Sequence, residues 1–113
     1  MPKYKFLVFT RPVEGREQEY NDWYQNVHLP DLLTVPGYTS AQRFRLSRTH
    51  TTPSGDIPFP YLAIYNIETD DIDGVLAGMK RLKGKILVSD ALNLPASSAM
   101  IYEEYGAVVE RES

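Results

Sequence analysis

The sequence predicts an α+β fold with the element order βαββαβ, and three observations lead there. Four short runs rich in β-branched and aromatic residues, at 4–10, 39–47, 61–68 and 99–110, have the character of strands. Two intervening runs repeat their apolar residues at helical spacing. Turn residues, Val35-Pro36-Gly37 above all, mark the boundaries. A chain of 113 residues suits one domain, 1–113.

The first strand, YKFLVFT, stops at Arg11-Pro12, because a proline has no N–H to give a sheet. Gly15 then opens a helix. Tyr20, Trp23, Tyr24, Val27 and His28 fall at the i, i+3, i+4, i+7, i+8 positions of one face. Glu14, Glu17 and Glu19 lie near its N-terminal end, where the helix dipole favours acidic groups. Pro30 disfavours the helical conformation at Leu29, so the helix is expected to end at His28. The second strand, TSAQRFRLS, alternates Phe44 and Leu46 on one face with Arg43 and Arg45 on the other. Residues 49–60 hold three prolines and one glycine and form a surface loop, with Ile57 and Phe59 as its apolar anchors. YLAIYNIE is the third strand. Asp70 or Asp71 caps a second helix whose apolar stripe is Ile72, Val75, Leu76, Met79 and Leu82, with Gly84 as its stop. Lys80, Arg81, Lys83 and Lys85 complement the dipole at that end. The fourth strand runs through 99–110, with Gly106 as a candidate bulge.

This order gives the ferredoxin-like arrangement: a four-stranded antiparallel sheet with both helices on one face. The other face stays open and still carries apolar side chains. A second copy of the chain is the simplest cover, so a homodimer is expected.

Composition removes several classes of function. A net charge of −3 does not favour a nucleic-acid surface. The absence of cysteine excludes disulfides, thiolate metal sites and a thiol nucleophile. The longest apolar runs, such as FLVF, are far too short to span a bilayer, and no signal peptide is apparent. A cytoplasmic location is the expectation. Gly-rich phosphate loops, nucleophile elbows and HExxH are missing. The two histidines stand 22 residues apart with no carboxylate at ligand spacing, so no metal is expected.

The stretch EGREQEYNDWYQNVHLPDLLTVPGYTSAQRFRL resembles the first half of the EthD-like branch of the dimeric α+β barrel superfamily. The matching features are Gly15, Trp23-Tyr24, His28-Leu29-Pro30, Pro36-Gly37 and Arg43, and YLAIYNIE and SDAL resemble later segments. The resemblance implies the ferredoxin-like fold and a dimer. The superfamily includes cyclases, lactone isomerases, cofactor-free oxygenases and haem-degrading enzymes, so it leaves the reaction open. The haem-degrading members use Asn, Trp and His, but here these types sit together on one helix. No cofactor is therefore expected.

Two readings of the aromatic helix remain. In the first, His28 is a general acid/base, since imidazole moves protons near neutral pH. Tyr24, one turn back, donates a hydrogen bond to a substrate oxygen or enolate. Tyr20 and Trp23 wall the substrate, and Asp31 holds the second ring nitrogen of His28. Arg43 meets a carboxylate or enolate, or else serves with Arg45 in a surface or interchain role. His28 would face a solvent-connected pocket between the first helix and the sheet. The substrate would be a small apolar or aromatic compound bearing a carbonyl or phenol, and the chemistry isomerisation, cyclisation or lysis. In the second reading the same side chains pack, His28 caps the helix end, and the chain is a non-catalytic small-molecule-binding or accessory homodimer. His50, in the loop, reads as a surface residue.

Overall fold

A computed structural model of the chain describes residues 1–55 and 58–112. The elements are β1 (Lys3–Thr10), α1 (Glu17–Trp23), a π-helical turn (Tyr24–His28), α2 (Leu29–Leu32), β2 (Tyr38–Arg45), β3 (Tyr61–Glu68), α3 (Ile72–Lys83) and β4 (Ser98–Glu103). The strands form one sheet in the order β2-β3-β1-β4, antiparallel throughout. This is the ferredoxin-like α+β fold expected from the sequence.

The period-two pattern divides the sheet into two faces. Tyr61, Ala63, Tyr65 and Ile67 of β3 are buried. They form one core with Tyr20, Tyr24, Leu29 and Leu32 of the first helical unit and Val75 of α3. Phe6, opposite Tyr65 in the ladder, packs against that core. Alternation puts Leu7, Phe9, Leu62, Ile64 and Met100 on the opposite face, where Leu7 pairs with both Ile64 and Met100.

The first helical unit differs from expectation at Pro30. Leu29 keeps helical angles (φ −59°, ψ −50°), and the chain stays helical to Leu32. The π turn explains this. The Leu29 N–H reaches back five residues to the Tyr24 carbonyl. Pro30 then falls in the first turn of α2, a position that tolerates a residue without an N–H. The inserted residue also rotates the buried stripe. It runs Tyr20, Tyr24, Leu29, Leu32, and Val27 turns outward.

The fourth strand is shorter than expected. It stops at Glu103, because its only neighbour, β1, begins at Lys3. The Lys3 carbonyl takes a last bond from the Glu104 N–H (2.8 Å). Residues 104–112 therefore have no strand to pair with in this sheet, and Gly106 is not a bulge.

The second helix is capped as expected: the Asp71 side chain accepts from the Gly74 N–H at 3.0 Å, and Gly84 closes the helix. The stretch between α3 and β4 is tied to the start of α1. Val13 N–H donates to the Ala91 carbonyl (2.7 Å), and Asn93 N–H to that of Arg11 (3.0 Å). Arg16 pairs with both Glu19 and Asp90. Both Arg16 and Asp90 are held in their charged forms by that contact, the arginine raised and the aspartate lowered. The loop after β2 closes where the Leu46 N–H meets the Pro60 carbonyl (2.8 Å). Phe59 anchors it against Phe9 and Arg11, while Ile57 lies outside the described residues. Among the described residues no helix is long and apolar enough to cross a membrane.

Gly37 sets the approach of α3 to the sheet. Its φ is +104°, and a Cβ there would stand 2.7 Å from Val75 Cγ2. Gly37→Ala combines left-handed strain with a clash against a buried valine and should cost roughly 1–3 kcal/mol. Denaturant titration reads this directly, and an unchanged midpoint would show that the Val35-Pro36-Gly37 turn relaxes freely.

Candidate functional site

The site begins with residues of α1 and the start of the π turn that face the sheet. Glu17, Tyr20, Asn21 and Tyr24 share one side of the helix, three or four residues apart. Beneath them Arg43 rises from β2. Its guanidinium carbon lies 4.6 Å from the Tyr24 ring centroid, 5.1 Å from that of Tyr61 and 5.2 Å from that of Tyr20. Arg43 donates to Asn21 Oδ1 at 2.9 Å. Asn21 Nδ2 donates to the Tyr61 hydroxyl (3.1 Å), which in turn donates to Glu17. The Tyr20 hydroxyl pairs with that of the buried Thr10.

Arg43 is thus half-buried beneath the helix, which does not fit the surface role offered for it beside Arg45. Three π faces and an amide oxygen offset the lost hydration that would otherwise keep a guanidinium at the surface. Arg45, two residues on at the strand end, is exposed. Among the described residues Arg43 forms no ion pair, so its charge is not cancelled by a carboxylate.

Tyr24 is the junction of the cluster. Its ring stands edge-on to Tyr20 (5.6 Å), Trp23 (5.4 Å) and His28 (5.0 Å). Tyr20 and Tyr24 are fully buried, at 0% and 1% exposure. Burial pushes the Tyr24 phenol up to about 12 and raises those of Tyr20, Tyr65 and Tyr38 as well.

His28 closes the π turn. Its ring stacks on Trp23 at 4.6 Å with 28° between the planes. Trp23 is itself held by its Nε1–H donating to the Leu87 carbonyl (3.3 Å). Nδ1 of His28 is buried and has no hydrogen-bond partner among the described residues. Loss of hydration lowers the imidazole to about 4; the charge of Asp31 opposes the shift and that of Lys83 adds to it. Asp31 lies in α2, and its carbonyl accepts from the Thr34 hydroxyl at 2.6 Å. It acts on His28 through charge, with no hydrogen bond to Nδ1.

Two surface grooves formed by the described residues border neither His28 nor Tyr24. One, of about 720 Å3, sits on the open sheet face and is bordered by Lys3, Lys5, Leu7, Ser40, Asn66 and Tyr102. The other, of about 700 Å3, is an open hollow on the outer side of α1 that includes Arg16, Asp22 and Trp23. No group of three or more His, Asp or Glu side chains among the described residues is arranged to hold a metal. His50 hydrogen-bonds Thr51 in the exposed loop.

The structure therefore joins Tyr20, Trp23, Tyr24, His28 and Arg43 through ring contacts and leaves Asp31 at the margin. Sequence reading missed Thr10, Asn21, Tyr61 and Tyr65. The strict alternation of YLAIYNIE already puts both β3 tyrosines on one face. Asn21 is a polar residue on the inner side of an amphipathic helix, which is itself a signal that a buried partner awaits it.

The architecture is the ferredoxin-like α+β fold, and several solved structures share it. It matches an ethyl tert-butyl ether D (EthD) family protein from Bacillus halodurans over 93% of this chain and 100% of that one, with 19% identity and a TM-score of 0.55. An Arabidopsis thaliana protein matches over 96% and 99%, with 8% identity and a TM-score of 0.62. SnoaB, a cofactor-independent oxygenase from Streptomyces nogalater, matches over 99% and 100%, with 14% identity and a TM-score of 0.50. At these identities the likeness is one of fold. No family model and no curated protein sequence matches the chain.

The buried imidazole makes stability depend on pH. His28 titrates near 6.5 when unfolded and near 4 when folded. Between those values the unfolded chain holds the extra proton, so stability is lost as pH falls from about 6.5 to about 4. His28→Gln removes that contribution. Its thermal midpoint should fall less over this window than that of the wild type, and equal slopes would show that the folded ring protonates freely.

Proposed function

We propose that the chain is a cofactor-independent enzyme that moves a proton on a small apolar or aromatic compound bearing a carbonyl or phenol, in an isomerase, cyclase or lyase type of reaction. The observation that carries this reading is Nδ1 of His28: a buried ring nitrogen without a partner, on a π turn, among aromatic side chains. Buried polar atoms without partners are rare and call for a ligand or a water, and π turns occur frequently at functional sites. The lowered pKa keeps the imidazole in its neutral, proton-accepting form at neutral pH, while making it a weaker base than a free imidazole. Tyr24 stays protonated and able to donate a hydrogen bond to a developing oxyanion. Trp23 and Tyr20 supply aromatic surface, Arg43 supplies positive charge beneath Tyr24, and Asp31 biases the imidazole by its charge. SnoaB, described as cofactor-independent, supports chemistry without a cofactor on this fold.

The complete burial of Tyr20 and Tyr24 favours a second reading, in which the stripe packs and the chain is a non-catalytic binding or accessory homodimer. Both readings share the homodimer. Leu7, Phe9, Phe44, Leu62, Ile64 and Met100 form an apolar sheet face with no helix over it, and a second copy covers it at an ordinary cost of about 800 Å2 per partner.

His28→Gln separates the readings. Loss of the acid/base should lower turnover about 100- to 10,000-fold while circular dichroism stays unchanged. The wild-type kcat/KM should be flat at neutral pH and fall as pH approaches 4. A folded variant with near wild-type turnover would remove His28 from the chemistry.

Sedimentation at micromolar concentration should give a dimer. A stable 12.9 kDa species would refute it.

A further inference from the structure

Nδ1 of His28 is buried, and neither surface groove borders that residue. A ligand of that nitrogen therefore needs a way in. Trp23 stacks on the imidazole, and Trp23 is itself fastened from outside: its Nε1–H donates to the Leu87 carbonyl at 3.3 Å. Leu87 belongs to the six residues KILVSD, 85–90, that follow α3 and Gly84.

This segment is held firmly at its two ends. At its head, the Lys85 and Ile86 N–H groups share one acceptor, the Leu82 carbonyl, at 2.8 and 3.2 Å. Just past its tail, Ala91 is fully buried, and its carbonyl takes the Val13 N–H at 2.7 Å. Between the ends, no N–H of residues 87–90 donates to a backbone carbonyl among the described residues. Ile86 packs against the core, but Leu87 is 82% exposed and Val88 is exposed as well. Two ties fasten the segment to the first helical unit. One is the Trp23–Leu87 bond, and the other is the ion pair of Arg16 with Asp90 at 2.6 Å. The Asp90 side chain stands almost wholly in solvent, and pairs of that kind hold weakly. A stretch with few hydrogen bonds and few buried contacts belongs to the low-stability end of a structure and opens before the rest.

We infer that residues 85–90 are a gate over Trp23 and His28, hinged at Gly84 and latched by Trp23–Leu87 and Arg16–Asp90, and that a small aromatic substrate reaches the imidazole when the gate lifts. This rests on the role proposed above for His28 and adds the entry route and the closure of the same site. Val27, which shares the outer hollow with Trp23, is exposed, as are Leu87 and Val88. Together they offer an apolar compound a landing surface at the mouth. Once the gate is shut, the substrate and the base are closed off from water, as in other enzymes with moving lids.

The test needs no substrate. The chain has two histidines, and diethyl pyrocarbonate modifies a neutral imidazole that it can reach. His50 is exposed in its loop and serves as the internal standard. Mass spectrometry of the peptides at neutral pH gives the two rates, and circular dichroism verifies the fold of each variant. In the wild type His28 should react more slowly than His50. Asp90→Ala releases one latch and should speed His28 labelling about two- to fivefold. Gly84→Ala stiffens the hinge without a clash, since its Cβ would meet nothing nearer than the Arg81 carbonyl at 3.7 Å. It should slow His28 labelling about two- to fivefold. Gly37→Ala weakens the whole fold beside Val75, near the start of α3, and should leave the His28 rate unchanged. A wild-type His28 as reactive as His50 overturns the gate, and so does a His28 rate blind to both Asp90→Ala and Gly84→Ala. A rise in Gly37→Ala equal to that in Asp90→Ala overturns it too, because the exposure then comes from unfolding of the whole chain. Labelling reports the gate and the turnover of His28→Gln reports the chemistry, so the failure of one is distinct from the failure of the other.

Discussion

A guanidinium lies under a helix, and much of the molecule is arranged around it. Desolvating a charge costs several kcal/mol unless the surroundings replace its water. Arg43 receives that replacement from both layers: Tyr20 and Asn21 from α1, Tyr24 from the π turn, and Tyr61 from β3. Each desolvated cation–π contact contributes about 1–2 kcal/mol, and the charged hydrogen bond about 1.5–3 kcal/mol. Because the donors come from different elements, the cation sets the position of the helix along the sheet. A shift of one residue would take Asn21 off Arg43 and Tyr61 together, and leave Glu17 without the phenol it accepts from. The constraint also secures β2, an edge strand that otherwise has one neighbour.

With Tyr24 held there, the next core contacts are Leu29 and Leu32. From Tyr24 to Leu29 is five residues, and an α-helix repeats a face after three or four. The π turn absorbs the difference. His28 is consequently stacked on Trp23 and set against the edge of Tyr24, near the charge of Lys83 at the end of α3. The position of the imidazole follows from the packing of residues on either side of it.

Much of this was legible in the sequence. The βαββαβ order, the cap at Asp70 or Asp71, the Gly84 stop and the Pro36-Gly37 turn all rest on local periodicity and turn chemistry, which a single sequence carries. Three features were not. The i→i+5 bond at Leu29 depends on where Tyr24 and Leu29 meet the sheet, a tertiary condition that overrides the usual effect of Pro30 on the residue before it. The end of β4 depends on where β1 begins, a fact about a partner strand almost a hundred residues away. The inward burial of Arg43 depends on tyrosines from two other elements, and an alternating RFR reads equally well with either face turned inward. Of the candidate site, the helical residues were found because they share a stripe. Thr10, Asn21, Tyr61 and Tyr65 were not, because their roles exist only once the layers pack.

Burial acts on the two central titratable groups in opposite directions, lowering His28 to about 4 and raising Tyr24 to about 12. Across the whole interval between, both are neutral; the charge of Arg43 lies against Tyr24, and those of Asp31 and Lys83 act on His28. This limits what the proposed chemistry can be. Taking a proton from water would place a second, uncompensated cation in a dry site, which the depressed pKa already records as unfavourable. Taking it from a bound carbon or phenol acid is different, because the conjugate anion forms alongside the imidazolium. Opposite charges created close together in a low dielectric stabilise each other strongly. Tyr24 can add a hydrogen bond to the anion, and Arg43 lies behind it with no carboxylate of its own. On the proposed reading, the arrangement therefore selects a substrate that becomes an enolate or phenolate where it is bound, and disfavours reactions in which His28 must hold a proton alone.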